Sequence, residues 1–359
     1  MAIAKSARFP RFFGAFSPVP RLAGAMSDRD PTAPSLLTRR DAAKRTLLFS
    51  AAFLTPGWLA RLPAAEPGPL PAEGLHFLVV ADYGSQTEDQ KAIARRMAIF
   101  ADHLGAPLAA VLALGDNFYG HLTPERFGPG FEEMYSATSL PCAFYACAGN
   151  HDYGTKYDAQ PGKLQIELDY ATQHPASRWK YPSKWYTLHF PSAANPLVKI
   201  IVLDSNYGEQ ALTPEEEVAQ DAFLAAELAQ PTAAPWTWVA AHHPLYSDGP
   251  HGDNATLIAR WGPLLRQADI PLYITGHDHT LQHLQIEGQP TSFVVTGGGG
   301  MHLHDIKPQQ RGEQFIKSGF GFTHIHLTKE ALRLQFVDEA GRRLYGFTKT
   351  RDGKLAPLA

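Results

Sequence analysis

Short apolar runs that end in a polar residue recur along this chain, and they constrain its fold more than any other feature. The first three runs cover residues 75–81, 109–114 and 144–148, and they lead into Asp82, Gly115-Asp116 and Gly149-Asn150. Runs of this length bounded by turn residues are typical of buried strands. A helical stripe of apolar residues covers 88–104, with Thr87 as its predicted N-cap. The sequence therefore predicts an α/β sheet with polar groups gathered at the carboxyl ends of its strands.

The rest of the chain continues this pattern and adds antiparallel strands. Strands are predicted over 185–190, 198–203, 236–241, 272–275, 291–296, 322–327, 332–338 and 343–348, and helices over 213–229 and 255–267. The polar stretch 154–184 is predicted to be a long surface excursion. Two packed sheets with helices outside would bury the apolar faces of these strands. We therefore predict one α/β domain over 74–352, a β-sandwich of two mixed sheets flanked by helices in α/β/β/α layers.

Composition and charge limit the partners of the chain. Its 359 residues are 44% hydrophobic with a formal net charge of -3, as is typical of a globular protein with a substantial core. This charge gives no broad electrostatic attraction for nucleic acid, so no nucleic-acid partner is expected. Cys142 and Cys147 lie at the two ends of a predicted strand, too far apart for a disulfide, and both are expected to be free and buried.

The N-terminal residues have the order of parts found in an export signal. Arg39-Arg40 lies in a segment that resembles a twin-arginine signal, and an apolar stretch over 46–59 and a small-residue segment follow it. The apolar stretch is too short for a stable membrane span. We therefore predict an export leader over 1–65, a linker over 66–73 and a periplasmic or extracellular protein. A start at Met26 would give a more typical leader, and a disordered basic tail or a transit peptide is the alternative.

Five segments together supply the side chains of a metal site. They cover residues 82–84, 115–119, 149–152, 239–242 and 276–279. Their carboxylate, phenol, amide and imidazole groups are ligands of hard and borderline metal ions, and the set suits two adjacent ions. Each segment alone is a weak signal, because an Asp after a strand is often a turn residue and a His-x-His pair can be solvated. Five such segments in one order, each at the end of a predicted strand, favour a metal site.

The ordered segments resemble the metallophosphoesterase superfamily over about residues 76–325, and within it the purple acid phosphatases of the small, mammalian tartrate-resistant type. Most metallophosphoesterases similar to this chain carry Asp-x-His in the first segment, whereas Gly84 stands here in place of the histidine. Tyr119 follows Asp116 and completes the purple pattern, Asp-x-Gly with Gly-Asp-x-x-Tyr. A tyrosinate is a hard anionic ligand that favours Fe(III). An aromatic side chain packed beneath the loop is the alternative for Tyr119.

The resemblance implies a ligand set for two metal ions. Fe(III) would be held by Asp82, Tyr119, His279 and Asp116, with Asp116 bridging to a second ion, Fe(II), Zn or Mn, that is completed by Asn150, His242 and His277. His242 rather than His243 matches the histidine of the family's His-x-Pro segment. His243 is expected to be structural, because neighbouring residues on a strand point to opposite faces.

The resemblance also implies side chains that act on the substrate. His151 matches the histidine that contacts the phosphate, and Asp152 would orient it. His251 matches the histidine that protonates the leaving alcohol, and a solvent-exposed loop imidazole is the alternative. The pattern gives no role to His283, His302 and His304.

These expectations combine into a secreted acid phosphatase. The resemblance implies hydrolysis of small phosphomonoesters by in-line attack of a metal-bound hydroxide, with phosphate as the product. Motifs do not fix the pocket walls, so a phosphodiesterase or nucleotide phosphatase on the same scaffold is the enzymatic alternative. A non-hydrolytic protein that binds metal or phosphate is the alternative from another class. The sequence indicates neither the oligomeric state nor the natural substrate.

Overall fold

The structure is a computed structural model that describes residues 73–154, 156, 158–208, 211–307 and 313–358, without the side chains of residues 313 and 314. The predicted leader over 1–65 and all but the last residue of the predicted linker lie outside the described residues. Within the described ranges, no helix has both the length and the apolar character needed to cross a membrane.

The described residues form fifteen strands and six α-helices. The strands are β1 (Leu75–Val80), β2 (Leu108–Leu114), β3 (Phe144–Cys147), β4 (Trp179–Lys180), β5 (Tyr186–Phe190), β6 (Val198–Val202), β7 (Trp236–Ala240), β8 (Leu272–Thr275), β9 (Leu281–Gln285), β10 (Ser292–Thr296), β11 (Glu313–Lys317), β12 (Gly321–Leu327), β13 (Ala331–Asp338), β14 (Arg343–Thr350) and β15 (Leu355–Pro357). The helices are α1 (Glu88–His103), α2 (Asn150–Tyr153), α3 (Lys163–Gln173), α4 (Pro214–Ala229), α5 (Ala255–Arg260) and α6 (Gly262–Gln267). Most bounds agree with the prediction to within one or two residues.

The strands form two mixed sheets, as predicted. The first has the order β15-β14-β13-β12-β1-β2-β3-β4, in which β1 to β4 are parallel and the remaining strands are antiparallel. The second has the order β11-β9-β10-β8-β7-β6-β5, in which β6, β7, β8 and β10 are parallel. Because parallel strands share one carboxyl edge, each sheet gathers its polar strand ends at one edge.

A large apolar core joins the two sheets. Phe77 of β1 and Trp238 of β7 are both fully buried, and their rings meet edge to face at 5.5 Å. The same core takes in Ile93 and Met97 from the buried face of α1. A second cluster includes Trp261 and other apolar residues around β7 and β8. The rigid sandwich fixes where the strand ends lie.

Capping explains the two long predicted helices. The Thr87 hydroxyl accepts from Gln90 N at the start of α1, as predicted. At α4, Thr213 and Glu216 form a capping box and Pro214 takes the first helical position. The helix predicted over 255–267 is instead two short helices, α5 and α6, with Trp261 between them.

The structure corrects the prediction in three further places. Helix α3 and strand β4 lie within 154–184, which was predicted to be a surface excursion. Strands β9 and β11 were not predicted. Strand β15 pairs with β14 and carries the first sheet past residue 352, the predicted end of the domain. Cys142 and Cys147 are both free, although Cys142 is only partly buried.

Candidate metal centre

The five predicted segments come together where the carboxyl ends of the two sheets meet. In the first sheet, Asp82 N donates to Gly115 O at 3.1 Å, which joins the loops after β1 and β2. In the second, Gly276 N donates to His242 O at 2.9 Å, which joins the loops after β8 and β7. The two sheets are linked where His277 N donates to Asp82 Oδ2 at 2.9 Å. The strand ends therefore form one continuous site.

Three of the predicted ligand residues have a left-handed backbone. The φ angle is 57° at Asp82, 51° at Asp116 and 68° at His277. This conformation costs on the order of 1–3 kcal/mol at a non-glycine residue and persists only where the surroundings determine it. Such strain is concentrated at functional sites in proteins, and here it coincides with candidate ligands.

Asp82, Tyr119 and His279 bring three donor atoms close together. The Tyr119 hydroxyl lies 3.5 Å from Asp82 Oδ1 and 3.2 Å from His279 Nε2. That nitrogen lies 3.4 Å from the same Asp82 oxygen. All three residues are buried. They are three of the four residues predicted to hold the first ion.

Asn150, His242 and His277 form a second group of the same kind. Asn150 Oδ1 lies 3.2 Å from His242 Nε2 and 3.0 Å from His277 Nδ1. The two nitrogens are 3.3 Å apart. These are the three residues predicted to coordinate the second ion together with Asp116.

Asp116 lies between the two groups. Its Oδ1 is 3.5 Å from His242 Nε2 of the second group, and its carboxylate clusters with Asp82 and His279 of the first. The main-chain N–H of His151 donates to Asp116 Oδ1 at 2.9 Å and so orients the carboxylate. This is the position that a carboxylate shared by two ions requires.

In His242 and His279, the ring nitrogen Nδ1 points away from the other candidate ligands and is hydrogen-bonded to a main-chain carbonyl, which fixes Nε2 as the nitrogen that faces them. His242 Nδ1 lies 2.8 Å from Leu114 O, and His279 Nδ1 lies 2.5 Å from His302 O. A carbonyl oxygen can only accept, so Nδ1 is the donor in both rings, and Nε2 is the nitrogen left to face the other donors. Histidines that bind metals almost always make such an outer hydrogen bond.

The donor distances fit metal coordination. Within each group the donors are separated by 3.0 to 3.5 Å. Ligands on an ion with bonds of about 2.0–2.1 Å are about 2.9–3.4 Å apart when the angle between them is octahedral or tetrahedral. The spacing therefore leaves room for one ion in each group.

The electrostatics of the site also favour a cation. Burial raises the pKa of Asp82 to about 8; His242 opposes this rise and the Asp116 carboxylate adds to it. Burial and the Asp116 and Asp82 carboxylates raise the pKa of the Tyr119 phenol well above its usual value. Burial and neighbouring imidazoles lower the pKa of His277, so its lone pair is available. Burial thus disfavours the charged forms of Asp82, Tyr119 and His277, and bound metal ions would supply compensating positive charge.

His151 lies at the edge of the first group. Its ring centroid is 4.6 Å from that of Tyr119, and its Nδ1 lies 3.4 Å from Asp158 Oδ1. Asp158 also accepts from Lys163 Nζ at 2.8 Å, and Lys163 donates to the His151 carbonyl at 2.8 Å. Burial lowers the pKa of His151, but the hydrogen bond to Asp158 and nearby carboxylates outweigh it and raise the pKa.

We predicted that Asp152 orients His151; in the structure, Asp158 Oδ1 lies 3.4 Å from His151 Nδ1 and accepts its hydrogen bond. The buried Asp152 carboxylate accepts from Gly149 N at 2.8 Å and from Phe118 N at 3.2 Å. It thereby ties the loop after β2 to the start of α2. Asp152 thus supports the loops that carry the candidate ligands, and its negative charge also contributes to the raised pKa of His151.

His251 forms a close pair with a buried carboxylate. Its Nδ1 lies 2.7 Å from Asp278 Oδ1, and its ring centroid is 4.2 Å from that of His277. The hydrogen bond to Asp278 raises the pKa of His251, although burial opposes the rise. The side chain of His251 is 49% exposed, so the ring borders both solvent and the second group of donors.

His243 is buried next to the second group. Ser205 Oγ accepts from His243 N at 2.7 Å and lies 2.8 Å from His243 Nδ1, and the structural role we expected for His243 stays a prediction. The ring of His243 nevertheless lies only 4.1 Å from that of His277. The argument from strand alternation does not apply, because β7 ends at Ala240, before both histidines.

The pattern did not identify several residues that support the site. Lys163 and Asp158 lie in the stretch predicted to be a surface excursion, where polar residues gave no sign of burial. His302 and His304 follow the glycines over 297–300, and that glycine run was the one sign of a chain segment close to the site.

Known proteins resemble this chain in sequence and fold. Tartrate-resistant acid phosphatase type 5 of Homo sapiens is 29% identical over 325 residues, which cover 81% of this chain and 94% of that protein. Purple acid phosphatase 7 of Arabidopsis thaliana is 27% identical over 320 residues, with 83% and 94% covered.

Two solved structures share the fold. The purple acid phosphatase PPD1 from yellow lupin (Lupinus luteus) seeds superposes with a TM-score of 0.60 at 16% identity, covering 80% of this chain and 55% of that chain. GAP50, the anchor in the inner membrane complex of Plasmodium, superposes with a TM-score of 0.62 at 21% identity, covering 76% of this chain and 87% of that chain.

A family profile described as calcineurin-like phosphoesterase matches residues 75–281. That range is more than half of the chain, and it contains all five segments that meet at the carboxyl ends of the strands. By this match, the chain belongs to the calcineurin-like phosphoesterase family.

Proposed function

We propose that this chain is an exported acid phosphatase that holds two metal ions and hydrolyses small phosphomonoesters. One observation carries the proposal: two groups of three donor atoms, each 3.0 to 3.5 Å apart, flank the shared carboxylate of Asp116. The names of the acid phosphatases that resemble the chain support the reaction class.

Each group is proposed to hold one ion. Asp82, Tyr119, His279 and Asp116 would hold Fe(III), and Asp116, Asn150, His242 and His277 would hold Fe(II), Zn or Mn. The phenolate of Tyr119 favours the ferric ion in the first site, and the imidazoles suit a borderline divalent ion in the second. Two cations at these positions would neutralise charge on the phosphoryl group and activate the attacking water.

His251 is proposed to protonate the leaving alcohol. Asp278 accepts the Nδ1 proton, and this contact directs Nε2 away from the carboxylate. The half-exposed ring, whose centroid is 4.2 Å from that of His277, would present the Nε2 proton to an oxygen leaving the phosphorus on the solvent side.

His151 is proposed to bind the phosphate. Its main-chain N–H orients Asp116, and its ring is held beside Tyr119 by Asp158. Lys163 fixes Asp158 in turn. Residues on three segments thereby keep one imidazole donor beside the first group, where it would hydrogen-bond an oxygen of the bound substrate.

Export is proposed from the sequence alone, through the twin-arginine-like segment. The proposed substrates are small phosphomonoesters, and no nucleic-acid partner is proposed. A phosphodiesterase or nucleotide phosphatase is the closest alternative, because the same donors would serve a diester.

Hydrolysis by purified, metal-loaded protein tests the proposal. p-Nitrophenyl phosphate and bis(p-nitrophenyl) phosphate would be compared from acid to neutral pH, together with metal content. The proposal predicts two ions per chain and turnover of the monoester that is fastest in acid. Comparable turnover of the diester would favour the phosphodiesterase, and fully loaded protein without turnover would favour a non-hydrolytic binder.

A further inference from the structure

The loop after β10 crosses the site and is hydrogen-bonded to the segments that follow β1 and β7. Gly299 N donates to Ala81 O at 3.1 Å, and Met301 N donates to Asp82 O at 3.0 Å. Further along, Lys307 N donates to Asp248 O at 2.6 Å. The loop is therefore fixed against the end of β1 on one side and against the segment that leads to His251 on the other.

Within this loop, His304 clamps the candidate ligand His279 from two directions. His279 N donates to His304 Nδ1 at 3.0 Å, and His304 N donates to His279 O at 3.1 Å. The two rings are stacked, with centroids 3.9 Å apart and planes inclined by 13°. Ser318 Oγ donates to the His304 carbonyl at 2.7 Å and holds the clamp in place.

The loop also fixes the outer nitrogen of His279. His302 offers its carbonyl oxygen to His279 Nδ1 at 2.5 Å, while its own side chain is exposed. The main chain, the ring plane and the tautomer of His279 are thus each determined by residues 302 and 304. No other candidate ligand among those described is held at all three points by one loop.

We infer that His304 is a positioning residue that sets the orientation of His279 as a ligand in the site that contains Tyr119. The inference rests on the proposed function, in that it takes His279 to be a ligand. Without the His304 side chain, His279 N–H loses its acceptor and the ring loses the surface that defines its plane. A ligand side chain that is free to rotate binds its ion less tightly, because metal binding must then restrict that rotation and loses conformational entropy.

Three substitutions separate the two contacts that the His304 side chain makes with His279; in all three, Asp278 Oδ1 also loses the His304 Nδ1 that lies 3.5 Å away. His304→Asn keeps an acceptor near the position of Nδ1 but removes the stacked ring. His304→Phe keeps a stacked ring but removes the acceptor. His304→Ala removes both. His302→Ala is the matched control: it keeps the carbonyl that His279 uses and deletes an exposed imidazole from the same loop, whose ring meets His279 only edge to face at 5.1 Å.

The experiment measures metal loss to a chelator, the visible band of the iron site and the melting temperature on each purified, metal-loaded variant. Replacing a partner of this kind typically weakens metal binding by about 10- to 100-fold, so we expect His304→Ala to lose metal from the Tyr119 site correspondingly faster, with a shifted band. His304→Asn and His304→Phe are expected to fall between His304→Ala and wild type. His302→Ala is expected to retain its metal like wild type.

Two results would overturn the inference. One is metal retention and a band in His304→Ala that match those of wild type. The other is metal loss that follows the melting temperature across all variants, which would indicate a general loss of stability. Wild-type protein that holds two ions without turnover would refute the proposed function and leave the inference standing, because the inference is read from metal retention.

Discussion

Gly84 and Tyr119 are joined by a main-chain hydrogen bond, in which Tyr119 N donates to Gly84 O at 3.1 Å. Gly84 N in turn donates to Asp116 O at 3.1 Å. A Cβ atom at position 84 would lie 2.1 Å from the carbonyl oxygen of Asn117. Gly84 therefore has a second effect besides the absence of a histidine from the first segment. Its small size allows the loop after β2 to approach closely enough to bring Tyr119 to Asp82.

Gly84→Ala is expected to displace the Tyr119 loop. The backbone at Asn117 cannot yield to a Cβ at that distance without moving Asp116 and Tyr119. We predict loss of metal from the Tyr119 site and loss of phosphatase activity, measured by metal content and by turnover. Gly262→Ala is the control, because a Cβ there meets nothing within 4 Å. Normal metal content in Gly84→Ala would contradict this account of the glycine.

Asp116→Asn is expected to abolish metal binding at both positions and turnover with it. The shared carboxylate offers its single negative charge jointly to both proposed ions, and a neutral amide offers no charge to either. Metal content and hydrolysis of p-nitrophenyl phosphate would be measured on the same preparation. Full activity in this variant would remove the basis for a shared ligand.

His251→Gln is expected to affect poor leaving groups most. An alkyl alkoxide needs a proton as it leaves, whereas p-nitrophenolate leaves without one. We predict a fall in kcat of roughly 100-fold or more for an alkyl phosphate, in line with the usual contribution of general acid catalysis, and a much smaller fall for p-nitrophenyl phosphate. Equal losses on both substrates would assign His251 to binding and not to proton transfer.

Lys163→Met is expected to destabilise the fold strongly. The Lys163 side chain is fully buried in its pair with Asp158, and it also donates to the carbonyls of Phe118 and His151. Removing one partner of a buried pair costs about 3–5 kcal/mol, which denaturant unfolding would measure. Lys91→Met removes a lysine from the exposed pair with Glu88 and is expected to cost less than about 1 kcal/mol. Similar losses of unfolding free energy in the two variants would contradict the prediction that the buried pair stabilises the fold more than the exposed one.

His283 is expected to make the fold less stable in acid. It is buried against Phe347, with Tyr345 and Lys349 nearby, and burial lowers its pKa from 6.5 to about 3. Since its folded pKa is depressed, the unfolded chain takes up the proton first, and stability is lost as pH falls below about 6.5 towards 3. The loss between pH 6.5 and 5 is about 2 kcal/mol from this residue. His283→Gln should show a correspondingly weaker pH dependence of unfolding, and an unchanged dependence would contradict the prediction.

The sequence was sufficient to locate the candidate ligand groups because each follows a continuous apolar run. Such runs report burial directly, and glycine next to Asp, Asn or His marks the turn where the run ends. The resemblance to the purple acid phosphatases then implied that Asp82, Tyr119 and His279 belong to one group. The structure brings the same three residues within 3.5 Å of one another.

The missed elements have buried polar residues in common. Lys163 and Glu167 of α3 are fully buried in hydrogen-bond networks, yet in a sequence they look like a solvated surface. Strand β9 was missed for the same reason, because its residues Gln282 and His283 are polar but buried. The hydrogen-bond partners that offset the cost of such burial come from distant segments, as Tyr345 does for His283, so local patterns cannot reveal them.

The visible spectrum of wild type and Tyr119→Phe, recorded on protein of known metal content, tests the central claim most directly. The account predicts a broad absorption band from tyrosinate bound to Fe(III) in wild type, and loss of that band in Tyr119→Phe, in which the phenol oxygen 3.5 Å from Asp82 Oδ1 and 3.2 Å from His279 Nε2 is missing. Colourless, active wild-type protein that holds two Zn or Mn ions would contradict the ferric site.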